Sequence, residues 1–325
     1  MESPKFDDID LKLMQALELD ARLPFSRIAA VLGVSDQTVA RRFRRLRAEA
    51  GLRVVAVRCA ADKPGLEHWM LRLRCTPDGA VTIADALARR PGTAWIGLTS
   101  GGTEVTCTTR ARTRDESDEL LLGKLPRTPH IVEVRAHQLL HRFYGGPVGW
   151  LAKNGALTEA EAAALTPEPH PHPGPALISE EDESLVAALE RDGRATYPEL
   201  QKATGRSESA IKRRLAQLVG SGAMYIDVEF NPERFGFHNA AMLSITAAPR
   251  SLNAVGEALA AHQEIAYAVA TTGSSNLMAV VVTRDTAHLY DYLSGGVGAL
   301  DGVEHVETMP FLRRVKQLTY QPFRG

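Results

Sequence analysis

Cysteine is scarce in this sequence. Its three residues, Cys59, Cys75 and Cys107, stand in no CxxC or Cys/His spacing. That excludes a disulfide framework and a structural zinc site, and it points to a reducing compartment with the thiols buried and free. Long apolar runs are missing too. The chain opens Met-Glu-Ser-Pro and passes straight into Asp and Lys, so no secretory signal and no bilayer-spanning segment is read, and a cytoplasmic protein is expected. There is no P-loop, no Gly-x-Ser-x-Gly and no His/Glu metal spacing, which leaves the common nucleotide, acyl-transfer and metal-hydrolase chemistries without residues to carry them. His137 and His141 are four apart but fall on or just after an expected strand, where that spacing is not a helical pair; both read as ordinary surface histidines. No catalytic residue, metal or cofactor is expected. An excess of one charge is also absent, since 38 Lys and Arg stand against 39 Asp and Glu.

That balance hides a local asymmetry. Between Asp36 and Arg58, seven arginines (Arg41, Arg42, Arg44, Arg45, Arg47, Arg53 and Arg58) face only Asp36 and Glu49, a local charge of +5. A basic patch of this kind is what phosphate attraction requires, whatever the sum over the chain. With 325 residues, 44% hydrophobic and 24% charged, the composition is that of a folded protein of two to four domains.

The organising feature is an internal repeat at an offset of 172. From residue 10 to 51 it pairs Asp10/Asp182, Leu13/Leu185, Ala16/Ala188, Leu17/Leu189, Glu18/Glu190, Asp20/Asp192, Arg22/Arg194, Gly33/Gly205, Ser35/Ser207, Arg41/Arg213, Arg42/Arg214 and Leu46/Leu218 without a gap. These are 12 identities where ordinary composition gives roughly two or three. The register persists through Ala86/Ala258, Leu87/Leu259, Thr99/Thr271, Gly101/Gly273, Val134/Val306, Leu140/Leu312 and Arg142/Arg314, so each half is a two-domain unit. The expected domains are 1–62 and 63–145, a Pro-rich linker over 146–178, then 179–235 and 236–325. The linker's prolines favour an extended, semi-rigid spacer with one short helix over 156–165. His170 and His172 within it read as plain linker.

The first domain reads as helix, short helix, glycine turn and basic helix. Ile9, Leu13, Met14 and Leu17 have helical spacing; a second helix over 26–32 stops at Gly33, where a tight turn tolerates only a residue free of Cβ strain. Ser35 is then the N-cap of a third helix whose buried stripe is Val39, Phe43 and Leu46. Gln37, Arg41, Arg44 and Arg45 project opposite Val39, with Thr38 beside them, and Arg42 is counted with them as a DNA-contacting residue. This is a helix-turn-helix whose last helix enters a major groove, Gln and Arg being the side chains that bond adenine and guanine edges in pairs. Arg53 to Val57 is the expected wing strand. The second copy presents Ser207, Ser209, Lys212, Arg213 and Gln217, with fewer charges and hence weaker expected binding or a different half-site.

The second domain of each half runs strand, helix, strand, strand, helix, strand: 69–75, 78–90, 94–99, 103–109, 114–125 and 131–140, repeated over 240–247 to 303–309. That order is a ferredoxin-like βαββαβ sheet with two helices on one face, giving an α+β protein overall. The other face needs a cover, and the sheet of a second copy supplies it economically; pairing within one chain and pairing between chains are both open at this stage.

The opening segment Asp8-Ile-Asp-Leu-Lys-Leu-Met14, the segment Val34 to Arg42 and the run Thr271 to Val282 resemble the leucine-responsive/asparagine-operon (Lrp/AsnC) family of feast-famine regulators over nearly the whole chain, twice. The resemblance implies a transcription regulator that binds double-stranded DNA and, near the loop joining the second and third sensor strands, an amino acid or related small molecule, with self-association through the sensor sheets. The corresponding effector residues are Ser100, Gly101, Thr103 and Glu104 in the first half and Thr272, Gly273, Ser274 and Asn276 in the second. The family commonly has Gly-x-Tyr-Asp there; Thr103 and Ser275 replace the aromatic, and Glu104 and Asn276 the acid. Only Glu104 keeps a charge with which to meet an ammonium group. Two other readings compete. Siroheme decarboxylases are similar in architecture, but they show histidines around these strands, and Trp95 to Gly101 and Tyr267 to Gly273 contain none. An effector-sensing module without DNA binding is the third.

Overall fold

The computed structural model describes residues 6–59, 67–111, 113–146, 149–167 and 177–318; His170 and His172 lie outside the described residues. In the first half the elements are α1 Asp8–Leu19, α2 Phe25–Leu32, α3 Asp36–Glu49, β1 Arg53–Arg58, β2 His68–Cys75, α4 Ala80–Arg89, β3 Thr93–Thr99, β4 Glu104–Arg110, α5 Arg114–Asp118 and β5 Ile131–Tyr144. After α6 Glu159–Leu165 come α7 Glu183–Arg191, α8 Tyr197–Thr204, α9 Glu208–Gly220, β6 Met224–Glu229, β7 Asn239–Ala247, α10 Leu252–Ala261, β8 Ile265–Thr271, β9 Leu277–Thr283, α11 Thr286–Asp291, β10 Val303–Pro310 and β11 Arg313–Lys316. Like joins like: Met1–Cys59 and Gly146–Gly236 form one compact unit, Ala60–Gly145 and Phe237–Gly325 the other.

In the first unit each helical trio closes as its sequence dictates. Gly33 and Gly205 end α2 and α8 in the left-handed region, at φ 66° and 69°. Ser35 and Ser207 then cap α3 and α9, accepting from the Thr38 and Ala210 amides. Each such cap stabilises its helix by about 0.5–2 kcal/mol. The expected wing strand has another role: β1 pairs antiparallel with β6, from Arg53 opposite Glu229 to Arg58 opposite Met224, so the two trios share one ribbon. Beside it the repeated arginines clasp reciprocally. Arg22 donates to the Gly193 and Ala195 carbonyls, and Arg194 to those of Ala21 and Leu23, at 2.5–3.0 Å.

The linker corrects the spacer expectation. Its 149–167 portion folds onto the first trio, burying Trp150, Leu151, Leu157 and Leu165; a fully buried leucine contributes about 1.5–3 kcal/mol gross. Lys12 pairs with Glu161 at 2.6 Å, Arg27 donates to the Ala164 carbonyl at 2.7 Å and Gln15 accepts from the Leu157 amide. Glu18 is drawn into this joint, its carboxylate accepting from the Ala152 amide. Burial, with Asp227 adding to it, pushes the Glu18 carboxyl up to about 8. A raised carboxyl favours folding most when protonated. Stability of this unit should therefore fall as pH rises from about 4.5 to about 8, and Glu18→Gln should flatten that slope in a pH series of amide-exchange measurements resolved to α1.

In the second unit β2-α4-β3-β4-α5-β5 and β7-α10-β8-β9-α11-β10 form two ferredoxin-like sheets, ordered β5-β2-β4-β3 and β10-β7-β9-β8. They are joined edge to edge. The end of β5 pairs with β8, and β11, two residues after β10, crosses to β3. The halves thus pair within one chain. One face of each sheet packs on its own helices, through Leu71, Leu73, Val105 and Leu87 in the first and Leu243, Ile245, Ala279 and Leu259 in the second. The opposite faces meet in a smaller cluster of Met70, Met242, Val269, Met278 and Met309.

Candidate nucleic-acid interface and effector loops

On α3 the structure divides the arginines into two groups. Ser35, Gln37, Arg41 and Arg44 are exposed and Thr38 half-buried beside them. Arg42 and Arg45, expected on the groove side, instead turn toward α1. Arg42 reaches Asp7 at 2.6 Å and Asp10 at 3.0 Å, and Arg45 reaches Asp10 at 2.9 Å, the Asp10 carboxylate being fully buried. A carboxylate taken out of water needs a partner, and the guanidiniums supply it. The second copy repeats the arrangement, with Asp182 held by Arg214 at 2.6 Å and Arg206 at 3.3 Å. The repeat identities Asp10/Asp182 and Arg42/Arg214 are therefore a structural ion pair, whereas Arg41/Arg213 is exposed in both copies. On α9, Ser207, Ser209, Lys212 and Arg213 are exposed and Gln217 half-buried, accepting from Arg214 at 3.4 Å. The shared ribbon and the Arg22/Arg194 clasp fix the two recognition helices as a pseudo-symmetric pair within this unit.

The effector loops are more heavily committed than the sequence implied. Glu104 is buried and bound by Arg72, which donates Nε and Nη2 to it at 2.5 and 3.2 Å. Arg72 also donates to Glu307 of the second half at 2.7 and 2.9 Å. Ser100 donates to Glu104 at 2.8 Å, and Thr103 to the Ser100 carbonyl. Glu104 is thus spoken for by a guanidinium, which corrects its expected place opposite an ammonium. Arg72, at the centre of the Trp69 to Cys75 strand, is not among the residues the sequence singles out; a cation in a period-2 strand on the face that must be covered is the signal for it. Asn276 turns its amide to the Ala247 backbone, accepting from N at 2.9 Å and donating to O at 2.7 Å. Thr272 accepts from the Gln138 amide through Oγ1, and the Ser274 carbonyl accepts from Thr246. His137, expected at the surface, is buried; its Nδ1 lies 2.8 Å from the Thr272 carbonyl. Gly273 sits at φ 111° so close to it that a Cβ there would be 2.5 Å from Nδ1. Gly101 is also left-handed, at φ 67°. His141 is exposed.

Known sequence patterns fall on these same segments. The AsnC-type helix-turn-helix domain matches residues 6–47, a winged helix-turn-helix DNA-binding domain residues 182–222, and the Lrp/AsnC ligand binding domain residues 240–320. The chain belongs to the Lrp/AsnC family. This Lrp/AsnC chain is 28% identical over 141 residues to the HTH-type transcriptional regulator LrpA of Pyrococcus horikoshii, covering 43% of this chain and all of that protein. It is likewise 28% identical to the HTH-type transcriptional regulator FL11 of Pyrococcus furiosus, covering 46% of this chain and 98% of the other. Its full tandem architecture resembles the crystal structure of the siroheme decarboxylase NirDL, at a TM-score of 0.62 and 13% identity over 98% of this chain and 94% of that one, a likeness of fold alone. Among the described residues, no helix of the Lrp/AsnC chain is long and apolar enough to cross a membrane.

Proposed function

We propose that this Lrp/AsnC protein is a sequence-specific, DNA-binding transcription regulator whose sensor sheets answer to a small molecule and which carries both members of the recognition pair on one chain. The observation that carries this reading is the split on α3: Gln37, Arg41 and Arg44 stay exposed while Arg42 and Arg45 are consumed internally. Exposed Gln and Arg at a helix-turn-helix are suited to base edges, and Ser35 and Thr38 to phosphates. On α9, Ser207, Ser209, Lys212 and Arg213 take the corresponding places with fewer charges, so the operator is an imperfect inverted repeat. A ligand at the Ser100 to Glu104 or Thr272 to Asn276 loops favours one arrangement of the sheets and thereby one DNA-binding state. With Glu104 bound by Arg72 and Asn276 by Ala247, an ammonium-bearing effector has less to hold it than in a Gly-x-Tyr-Asp site, and a related metabolite without that group fits better.

We read the chain as a binder and not an enzyme, working in the cytoplasm where its DNA is. Selection of bound sites from random duplexes, followed by sequencing, tests the proposal, with two unequal half-sites expected. Arg41→Ala should weaken specific binding by about 1–3 kcal/mol, some 5- to 150-fold, and wild-type affinity should drop steeply with salt. Unaltered affinity in Arg41→Ala would remove α3 from the groove. A wild-type protein that selects no sequence at all would leave only the sensing module.

A further inference from the structure

We propose that the centre of the face between the two sensor sheets is a binding site for a soft monovalent metal ion, Cu(I), formed by the thioethers of Met70, Met242 and Met309 and the imidazole of His137. The repeat assembles it. The offset of 172 relates Met70 to Met242 and His137 to Met309. Within each sheet the related residues are direct cross-strand neighbours, Met70 beside His137 and Met242 beside Met309, so each pair shares one face. The two faces meet, and Met70, Met242 and Met309 join Met278 and Val269 in a single buried cluster. Four of the chain's seven methionines converge there. Apolar packing alone would be served as well by leucine or isoleucine, which pack with better-defined rotamers.

The imidazole supplies the second, independent sign. His137 is only 7% exposed, and its Nε2 is buried with no hydrogen-bond partner among the described residues. Nδ1 faces the Thr272 carbonyl, which accepts its proton; that fixes the tautomer with a bare lone pair on Nε2. A buried acceptor without a partner is costly, and the same arrangement, one ring nitrogen donating to a carbonyl and the other left open, is how proteins orient a metal-ligating histidine. Thioethers select soft ions, and four neutral donors leave a monovalent ion far less charge to bury than a divalent one would bring. Among the described residues, no group of three or more His, Cys, Asp or Glu is placed to hold a metal. Cys75 and Cys107 are buried in the helix-facing core, their thiols pushed up to about 11 and about 12 by burial, and stay protonated. Only Cys59, half-buried, needs a control.

The experiment is an anaerobic titration of the full chain with Cu(I) against bicinchoninate, repeated with Ag(I) as a redox-inert stand-in. One ion per chain is expected, retained by Cys59→Ser. Met70→Leu, Met242→Leu and Met309→Leu, which keep core volume, and His137→Asn, which keeps a donor for Thr272, should each weaken binding about tenfold or more. Wild-type protein carrying 13C-methyl methionine gives a reading that needs no variant: one equivalent of Ag(I) should move the resonances of this cluster and leave those of Met14 and Met224 in place. Failure to withhold the ion from bicinchoninate, equal affinity in wild type and the leucine variants, or unmoved methyl resonances would each overturn the assignment. DNA affinity does not enter these readouts, so they stand or fall apart from the regulator reading.

Discussion

Arg72→Met is expected to destabilise the sensor unit by about 3–5 kcal/mol at neutral pH, and by less as the solution is acidified. Arg72 is almost fully buried, and its single guanidinium binds both Glu104 and Glu307, from opposite halves of the sequence. The Coulomb gain of such a group is largely offset by desolvation, so its presence contributes little net stability; taking away the cation while the carboxylates remain is what costs. In the wild type, the hydrogen bond from Arg72 holds the Glu307 carboxyl below its ordinary value. That part of the stability is complete above about pH 4.5 and is lost as pH falls through the lowered value. In the variant the sign reverses. Carboxylates left without their cation are easier to bury once protonated, so the folded variant binds more protons than the unfolded chain and its deficit shrinks toward about pH 5. Amide exchange resolved to β2 and β4, in urea at pH 7 and about pH 5, reads this within the sensor unit alone. Adding Glu104→Gln and Glu307→Gln should recover much of the loss, because amides carry no charge to strand. A deficit equal at both pH values would mean that packing, not charge, is what Arg72 supplies.

The 172-residue repeat made the fold legible, since both trios and both sheets follow from periodicity and turn residues that occur twice. What it could not do was sort its own identities by role. Arg41/Arg213 and Arg42/Arg214 are equally strong repeats, yet one pair is exposed and the other anchors Asp10 and Asp182. A helical wheel puts Arg42 only about 60° from Val39, a hint of its inward course. Arg45 projects outward on the same wheel, and only the position of α1 shows that its long side chain is drawn back to Asp10. Arg22/Arg194 was visible as an identity, but its meaning lies across the pseudo-symmetric joint, in carbonyls 171 to 173 residues away. The effector loops show the same limit. Glu104 reads as an available acid until Arg72 is brought beside it by strand register, Arg74 opposite Glu104 and Arg72 opposite Thr106. The strand β11 was signalled by Leu140/Leu312 and Arg142/Arg314, which continue the repeat past the last expected strand. His137 had its own sign, since the residue that the repeat sets against it is the buried Met309.

The Asp182 carboxylate gives the sharpest separation of scaffold from DNA contact. Asp182→Asn should destabilise the second helical trio by about 3–5 kcal/mol and remove its acid dependence, because one buried acid answers two guanidiniums there. Burial by itself would raise the Asp182 carboxyl, but hydrogen bonds from Arg214 and Ser179 outweigh it and hold the group well below its ordinary range. A depressed carboxyl contributes fully above its unfolded value, near 3.8, and the contribution is lost as pH falls below that. The wild type should therefore show an acid limb beginning near pH 4 that Asp182→Asn lacks. Since the chain has two units and a single melting curve mixes them, amide exchange resolved to α7 and α9 is the measurement. Arg213→Ala, exposed and outside this pair, should lower DNA affinity while leaving that protection intact. If Asp182→Asn instead lost affinity with its protection unchanged, or kept the acid limb, the ion pair would not be what holds α9 against α7, and the division of the repeated arginines into anchors and contacts would have to be redrawn.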